Sequence, residues 1–194
     1  MLGEKIIDVS AGKTHSIFLT NKGNVYSIGS NHFGQLGISN LTKDLSKNLV
    51  KIHFPDDAYI VKIKSGDHHN LFISKDGVLY GNGDNSLAQI DADLDSINKT
   101  QCVPKEIILP SQSKIREVLA NNNRSAVILE NGEVYYWGGF SYHPKFSLVD
   151  QPKYNGFNLM NSENGLPQNG KIINIGLGYF HDIVLFEEQS KSDK

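Results

Sequence analysis

One segment of this sequence occurs four times in tandem, and the repetition limits the possible fold more than any other feature. The copies begin near residues 5, 59, 114 and 171. A period of this length indicates supersecondary units that each bury a face against the next unit. The first two copies agree in phase at these positions: Gly12, His15, Gly23, Tyr26, Gly29 and Gln35 recur as Gly66, His69, Gly77, Tyr80, Gly83 and Gln89.

The two later copies are less complete. The third has Asn121 and Arg124 where the earlier copies have glycine and histidine, but it keeps the second half of the unit. The fourth restores the pair as Gly178 and His181 and contains only the first half. The sequence therefore predicts about three and a half to four units.

Each unit carries several strand signals. It begins with an alternating stretch such as IIDVSA and continues with one such as HSIFLT, which is apolar on both faces and predicts a strand between two neighbouring sheets. A glycine-containing turn leads to a third strand such as NVYSIG. A fourth, weaker strand is expected in each linker: NLVKIHF, VPKEIIL and KFSLVD.

Four antiparallel strands repeated radially predict an all-β fold made of β-propeller blades, here a partial propeller. Sustained 3.6-residue periodicity is absent from the sequence, which excludes a helical solenoid. We expect residues 1–186 to form the propeller segment and residues 187–194 to form a polar tail.

The stretch VSAGKTHSIFLTNKGNVYSIGSNHFGQLG, residues 9–37, resembles the repeat of the regulator of chromosome condensation family. The resemblance implies a seven-bladed propeller whose members act mainly as protein-interaction platforms, and some as guanine-nucleotide exchange factors for a small GTPase of the Ran type. It also implies structural roles for the landmark residues: glycines that permit close sheet contacts or tight turns, and His15, His69 and His181, which tie adjacent loops together by hydrogen bonds. The glycine landmarks are Gly12, Gly23, Gly29, Gly66, Gly77, Gly83, Gly132, Gly138 and Gly178.

Two sequence motifs resemble a phosphate-binding loop and a metal site, but neither is complete. Gly12-Lys13-Thr14 lacks the earlier glycine of a phosphate-binding loop, because Ile7 stands in its place. The adjacent His68 and His69 point to opposite faces of a strand and cannot form one metal site by themselves. We therefore expect a protein that is not an enzyme, with no metal and no cofactor.

The charge pattern and the cysteine content bear on the expected partners and on the cellular compartment. The formal net charge is −2, with lysines interleaved among aspartates, so binding to nucleic acid is not expected. Cys102 is the one cysteine, which favours a reducing compartment over secretion. Membrane insertion is not expected either. These features favour an intracellular protein, cytoplasmic or nuclear, and are compatible with an organelle or a cytoskeletal assembly.

The function favoured by these features is that of a non-catalytic protein-interaction or structural subunit of a larger complex. The alternative is a guanine-nucleotide exchange factor for a small GTPase. Three candidate binding loops lie at one rim of the blades, and they comprise Asn31, His32, Phe33, Asp84, Asn85, Ser86, Phe140, Ser141 and Tyr142. Both chain ends bring the same two strands, so we expect open sheet flanks. A second copy, giving a homodimer, or a different subunit could complete or cap the ring; a fragment or a self-sufficient four-bladed variant is the rival explanation.

Overall fold

The computed structural model describes residues 3–90, 99–139, 157–160, 170–178 and 182–188. Within these ranges the chain forms fourteen β-strands and one 3-10 helix, Pro55–Asp57. The strands are assigned to sheets in chain order, so each repeat forms its own sheet. This confirms the predicted all-β fold and the antiparallel blades.

The first two blades have four antiparallel strands each. Blade 1 contains β1 to β4, and blade 2 contains β5 to β8. The bounds in blade 1 are β1 Ile6–Ala11, β2 His15–Thr20, β3 Val25–Asn31 and β4 Thr42–Ile52. The bounds in blade 2 are β5 Ile60–Ser65, β6 His69–Ser74, β7 Leu79–Asp84 and β8 Thr100–Glu106.

The described part of the third repeat also forms four strands, and that of the fourth forms two. Blade 3 consists of β9 Ile115–Asn121, β10 Arg124–Leu129, β11 Val134–Trp137 and β12 Asn158–Met160. Blade 4 consists of β13 Gly170–Leu177 and β14 Asp182–Glu188. Strand β14 thus extends two residues into the segment expected to be a tail.

The weak fourth strands follow the sequence prediction in two blades out of three. Strand β4 includes most of NLVKIHF, and β8 includes the first residues of VPKEIIL. The segment KFSLVD, residues 145–150, lies outside the described residues. In blade 3 the strand paired with β11 is β12, which lies further along the chain. The residues of β12 were not among the predicted strands, and their antiparallel pairing with β11 places them in blade 3.

Hydrophobic clusters fill the spaces between blades. Between blades 1 and 2, Ile17 and Leu19 pack with Ile60 and Ile63. Strand β6, the second strand of blade 2, is buried along its whole length. One of its faces packs against blade 1 and the other against blade 3, as the apolar residues on both faces predict. Successive first strands also contact one another: β1 with β5, β5 with β9, and β9 with β13. First strands that meet from blade to blade lie on the inner side of a propeller.

A cleft of about 760 Å³ opens along the inner strands β5, β9 and β13, and its polar lining includes Lys64, Arg116, Glu117, Asn121 and Asn174. Arg116 donates hydrogen bonds to the backbone oxygens of Ile172 and Ile173 in blade 4. Through these hydrogen bonds the guanidinium of Arg116 joins blade 3 to blade 4.

Candidate interaction surface

The histidine landmarks join neighbouring blades. His15 Nε2 lies 2.7 Å from Asn70 Oδ1, and His69 Nε2 lies 3.0 Å from Ser125 Oγ. His15 and Asn70 stand on the second strands of blades 1 and 2, so the expectation that these histidines link loops needs correction: they link strands. The reason is that each ring points sideways out of its own sheet into the next one. His181 lies outside the described residues.

A glycine three residues before each histidine makes room for the ring. A Cβ on Gly12 would lie 2.2 Å from His15 Cε1, and a Cβ on Gly66 would lie 2.1 Å from His69 Cε1. Both hypothetical atoms would also collide with a backbone oxygen of the next blade, at 2.5 Å for Gly12 and 2.6 Å for Gly66. Real Cβ atoms do not approach so closely, so Gly and His form a coupled pair.

The third repeat replaces both members of this pair together. Asn121 donates a hydrogen bond from Nδ2 to the backbone oxygen of Leu177, and Arg124 donates from Nη2 to the backbone oxygen of Gly178. The third repeat thus lacks the imidazole ring that a Cβ would meet in the first two repeats. The long polar side chains reach the fourth blade instead.

Other landmark glycines occupy turns or close contacts. Gly29 and Gly83 have φ values of 113° and 112°, and a Cβ on either would lie within 2.5 Å of a backbone oxygen. Positive φ also occurs at the turn glycines and at the end of β11, namely at Gly23, Gly77, Gly132 and Gly138. At these positions the positive φ favours glycine over residues with a side chain.

Burial keeps the landmark imidazoles neutral. It lowers the pKa of His69 to about 3, with further lowering from the nearby His15 and His68. Burial also lowers the pKa of His15, although the hydrogen bond to Asn70 opposes the shift. Because these rings are uncharged at neutral pH, they can be buried between blades, where each forms a hydrogen bond to the next blade. This is a structural role.

Two buried side chains that the sequence did not single out complete the contact between blades 1 and 2. Asn70 donates from Nδ2 to the backbone oxygen of Gln35 at 2.8 Å, and Asn82 donates to that of Gly34 at 2.7 Å. Both are fully buried. Asn70 follows the landmark His69 directly, and this adjacency was the available sequence signal.

The first two candidate loops have the same internal hydrogen bonds. Asn31 Oδ1 accepts from the backbone N–H of Leu36, and Asn85 Oδ1 accepts from that of Ile90, both at 2.9 Å. Asn31 and Asn85 are buried. These asparagines shape the loops and do not present a binding surface, because satisfying buried backbone donors requires their side chains to point inward.

Asp84 is also buried, and its Oδ1 accepts a hydrogen bond from the backbone N–H of Ser86 at 2.9 Å. It too belongs to the loop structure, which corrects its inclusion among candidate binding residues. The loop Phe140, Ser141 and Tyr142 lies outside the described residues.

In the first two candidate loops, which the structure describes, the remaining members are His32, Phe33 and Ser86. All three are exposed, and we name them together with His68 the rim patch. Phe33 is 37% exposed, and its ring centroid lies 4.6 Å from that of His68 in the next blade. Burial lowers the pKa of His68, while the carboxylates of Asp67 and Asp84 oppose the shift. The rim patch thus contains an aromatic ring, packed against His68, and polar side chains from two neighbouring blades.

The described residues lack two features that would indicate other functions. They contain no group of three His, Cys, Asp or Glu side chains placed to hold a metal ion. Within the same part of the chain, no helix has the length and apolar character required to cross a membrane. Burial raises the pKa of the Cys102 thiol.

Comparison with protein-family models gives matches to one kind of repeat. A model described as "Regulator of chromosome condensation (RCC1) repeat" matches residues 6–35 and 60–89, and a second model of the same description matches residues 22–73. Together these ranges run from β1 through β7 and end at Gln89.

Curated relatives match longer parts of the chain. The ultraviolet-B receptor UVR8 of Arabidopsis thaliana is 29% identical over 136 residues, which is 70% of this chain and 30% of the receptor. The human RCC1-like G exchanging factor-like protein is 29% identical over 139 residues, which is 69% of this chain and 28% of the relative. The chain therefore spans less than a third of either relative.

Among solved structures, Prp20p from Saccharomyces cerevisiae superposes with a TM-score of 0.77 at 24% identity, over 96% of this chain and 44% of Prp20p. At that level of identity the superposition supports the fold. It agrees with the partial propeller derived above.

Proposed function

This chain belongs to the RCC1 repeat family, and from that premise we propose that it is a non-catalytic protein-interaction subunit that binds its partner through the rim patch. The observation that carries the proposal is the exposed Phe33 ring held against His68. An aromatic side chain that is already fixed loses little conformational freedom on binding, and such residues dominate the energy of protein interfaces.

The loop architecture supports this role. The buried asparagines hold the loop backbone from within, while the adjacent His32 and Phe33 face solvent. A rigid scaffold that presents variable loops is the usual arrangement of a recognition surface. The fold alone does not specify the partner, since propellers serve many functions.

The test is quantitative affinity purification of the intact chain from its own cells, followed by mass spectrometry. We expect a stoichiometric protein partner whose recovery falls at least about tenfold with Phe33→Ala, the range for an anchor residue. Ile108→Ala is the matched control, because Ile108 is an exposed apolar residue outside the rim patch. Equal recovery with the two variants would refute the role of the patch.

The second candidate function is nucleotide exchange on a small GTPase. It is favoured by the similarity to the human G exchanging factor-like protein reported above. Release of labelled GDP from a panel of small GTPases, measured with and without the chain, separates the two functions. Acceleration of release would favour exchange, whereas unchanged rates with an intact Phe33-dependent partner would favour the interaction subunit.

A further inference from the structure

Two carboxylates of blade 2 lie beside the aromatic ring of the rim patch. Asp67 and His68 form the tip of the tight turn between β5 and β6, which closes through a backbone hydrogen bond of 2.9 Å. Asp84 is the last residue of β7, and its backbone N–H donates to the backbone oxygen of His68 at 2.9 Å. His68 is therefore flanked by both carboxylates, while its ring contacts Phe33 of blade 1.

These three side chains depart from the repeat. The landmark glycines and histidines recur in phase from blade 1 to blade 2, because they join the blades. The positions of the aromatic ring and of the carboxylates change instead: the counterparts of Asp67, Asp84 and Phe33 are Lys13, Ser30 and Leu87. The ring belongs to blade 1 and the carboxylates belong to blade 2, so they come together at the boundary between these two blades.

The charges around His68 favour a cation. The groups that act electrostatically on its imidazole are the carboxylates of Asp67 and Asp84, the ammonium of Lys13 and the imidazole of His32. The two carboxylates outnumber the one ammonium group. Asp84 already accepts a hydrogen bond from Ser86, whereas among the described residues no donor forms a hydrogen bond or an ion pair with the Asp67 carboxylate. The Asp67 carboxylate is therefore the acceptor that this surface offers to a partner.

The ring of Phe33 suits a planar cation. Phe33 is 37% exposed, and its ring contacts that of His68 with the two planes tilted by 36°. The ring is thus held on one side, and the exposed remainder is available to a partner. An arginine guanidinium is planar and charged, so it can stack on an aromatic ring and donate hydrogen bonds to a carboxylate at the same time. A lysine ammonium lacks the plane, and an acidic side chain would be repelled by Asp67.

We propose that the rim patch binds an arginine side chain of the protein partner, with the guanidinium stacked on Phe33 and hydrogen-bonded to the Asp67 carboxylate. This inference rests on the proposed function, because it specifies the chemistry of the partner that the rim patch binds. Arginine is one of the residues that contribute most to the energy of protein interfaces. Phe33, His68 and Asp67 are all described, and they lie in two adjacent blades, so the site needs no further part of the chain.

Titration of the isotope-labelled full chain with short peptides, followed by nuclear magnetic resonance, tests the proposal. The probe is N-acetyl-glycyl-arginyl-glycinamide. We expect it to shift the ring resonances of Phe33 and His68 with a dissociation constant of about 1–10 mM. The corresponding citrulline peptide has a similar plane without the charge, and it should bind at least about tenfold more weakly. The lysine peptide should bind at least about threefold more weakly, because the ammonium cannot stack.

A pair of matched variants tests the carboxylate. Asp67→Asn keeps the shape of the side chain and removes its charge, so it should weaken binding of the arginine peptide at least about fivefold. Asp76→Asn is the control, because Asp76 is an exposed carboxylate in the turn between β6 and β7, at the other end of blade 2. It removes the same net charge and should change the dissociation constant by less than about twofold.

A third variant tests the ring. Phe33→Leu should remove the preference for the arginine peptide over the lysine peptide, because leucine is apolar but has no aromatic face. Circular dichroism of all three variants confirms that the fold is retained.

Three results of the titration would overturn the inference. The first is the absence of any shift of the Phe33 and His68 resonances at about 50 mM arginine peptide. The second is equal affinity for the arginine and citrulline peptides. The third is an equal effect of Asp67→Asn and Asp76→Asn, which would indicate unspecific attraction between charges.

The affinity purification described above separates this inference from the proposed function. We expect the recovery of the partner to fall with Phe33→Ala and with Asp67→Asn and to be retained with Asp76→Asn. A partner whose recovery falls with Phe33→Ala but not with Asp67→Asn would overturn the arginine contact and leave the proposed function standing. Recovery that is unchanged with Phe33→Ala would overturn the proposed function itself.

Discussion

Adding one methyl group at Gly66 would test how neighbouring blades are joined. In Gly66→Ala the Cβ would lie 2.1 Å from His69 Cε1 and 2.6 Å from the backbone oxygen of Asn122. Gly66 is not among the glycines with positive φ, so the cost is steric and does not come from the backbone angle. The turn must move to accommodate the new atom.

The magnitude follows from the two hydrogen bonds that hold this turn to blade 3. They join Asp67 N to Asn122 O at 2.7 Å and His69 Nε2 to Ser125 Oγ at 3.0 Å. Losing a buried side-chain bond and leaving its partner unsatisfied costs about 1–3 kcal/mol, and weakening a backbone bond costs about 0.5–1.5 kcal/mol. We expect Gly66→Ala to reduce the free energy of unfolding by about 2–4 kcal/mol.

The double variant distinguishes this mechanism from a general loss of stability. His69→Ala should cost about 1–3 kcal/mol by itself. It also removes the ring that the added Cβ at position 66 meets, so the cost of the double variant should fall short of the sum by about 1 kcal/mol or more. The coupling between the two positions is the quantity that the structure predicts.

Urea unfolding, followed by far-ultraviolet circular dichroism and by the fluorescence of buried Trp137, gives the free energies. Gly176→Ala is the control, because a Cβ there meets nothing within 4 Å and its φ is not positive. The control should change stability by no more than about 0.5 kcal/mol. Additive costs at Gly66 and His69, or a Gly66→Ala variant as stable as the control, would refute the reasoning.

Three further outcomes follow from the same contacts. His69 stays neutral in the folded protein down to a pKa of about 3 but protonates near 6.5 when unfolded, so the unfolded state binds more protons. The free energy of unfolding should therefore be at its full value above pH 6.5 and should fall as the pH drops toward 3. The fall should be smaller in His69→Ala. Urea unfolding midpoints at pH 7.5 and pH 5.0 measure the difference. Asn70→Ala should cost about 2–4 kcal/mol in urea unfolding by leaving His15 and the Gln35 carbonyl without partners, whereas Asn70→Ser, which copies Ser125 of the next blade, should recover most of the loss. Lys62→Met should change stability by less than about 1 kcal/mol in the same assay, because its 3.1 Å ion pair with Glu117 is some 40% exposed.

The strands and turns could be predicted from the sequence because their signals are local. Alternation in IIDVSA gives β1, and the glycine at 23 supplies the positive φ of the turn into β3. Among the described residues of the candidate loops, the exposure of individual side chains was not predictable from the sequence. Asn31 and His32 are both polar and adjacent in sequence, yet one is buried and the other exposed. Which of them faces inward depends on the backbone donors that the folded loop leaves unsatisfied.

The sequence by itself determined the repeat, the antiparallel blades and the membership of Gly66 and His69 in one structural unit, because periodicity and turn chemistry act over a few residues. Only the tertiary structure decided which partners those residues meet. Val9 and Ile63 occupy the same position in successive copies, but one faces solvent and the other is buried. The difference arises because burial is set by the neighbouring blade, and a local pattern carries no record of whether that neighbour is present.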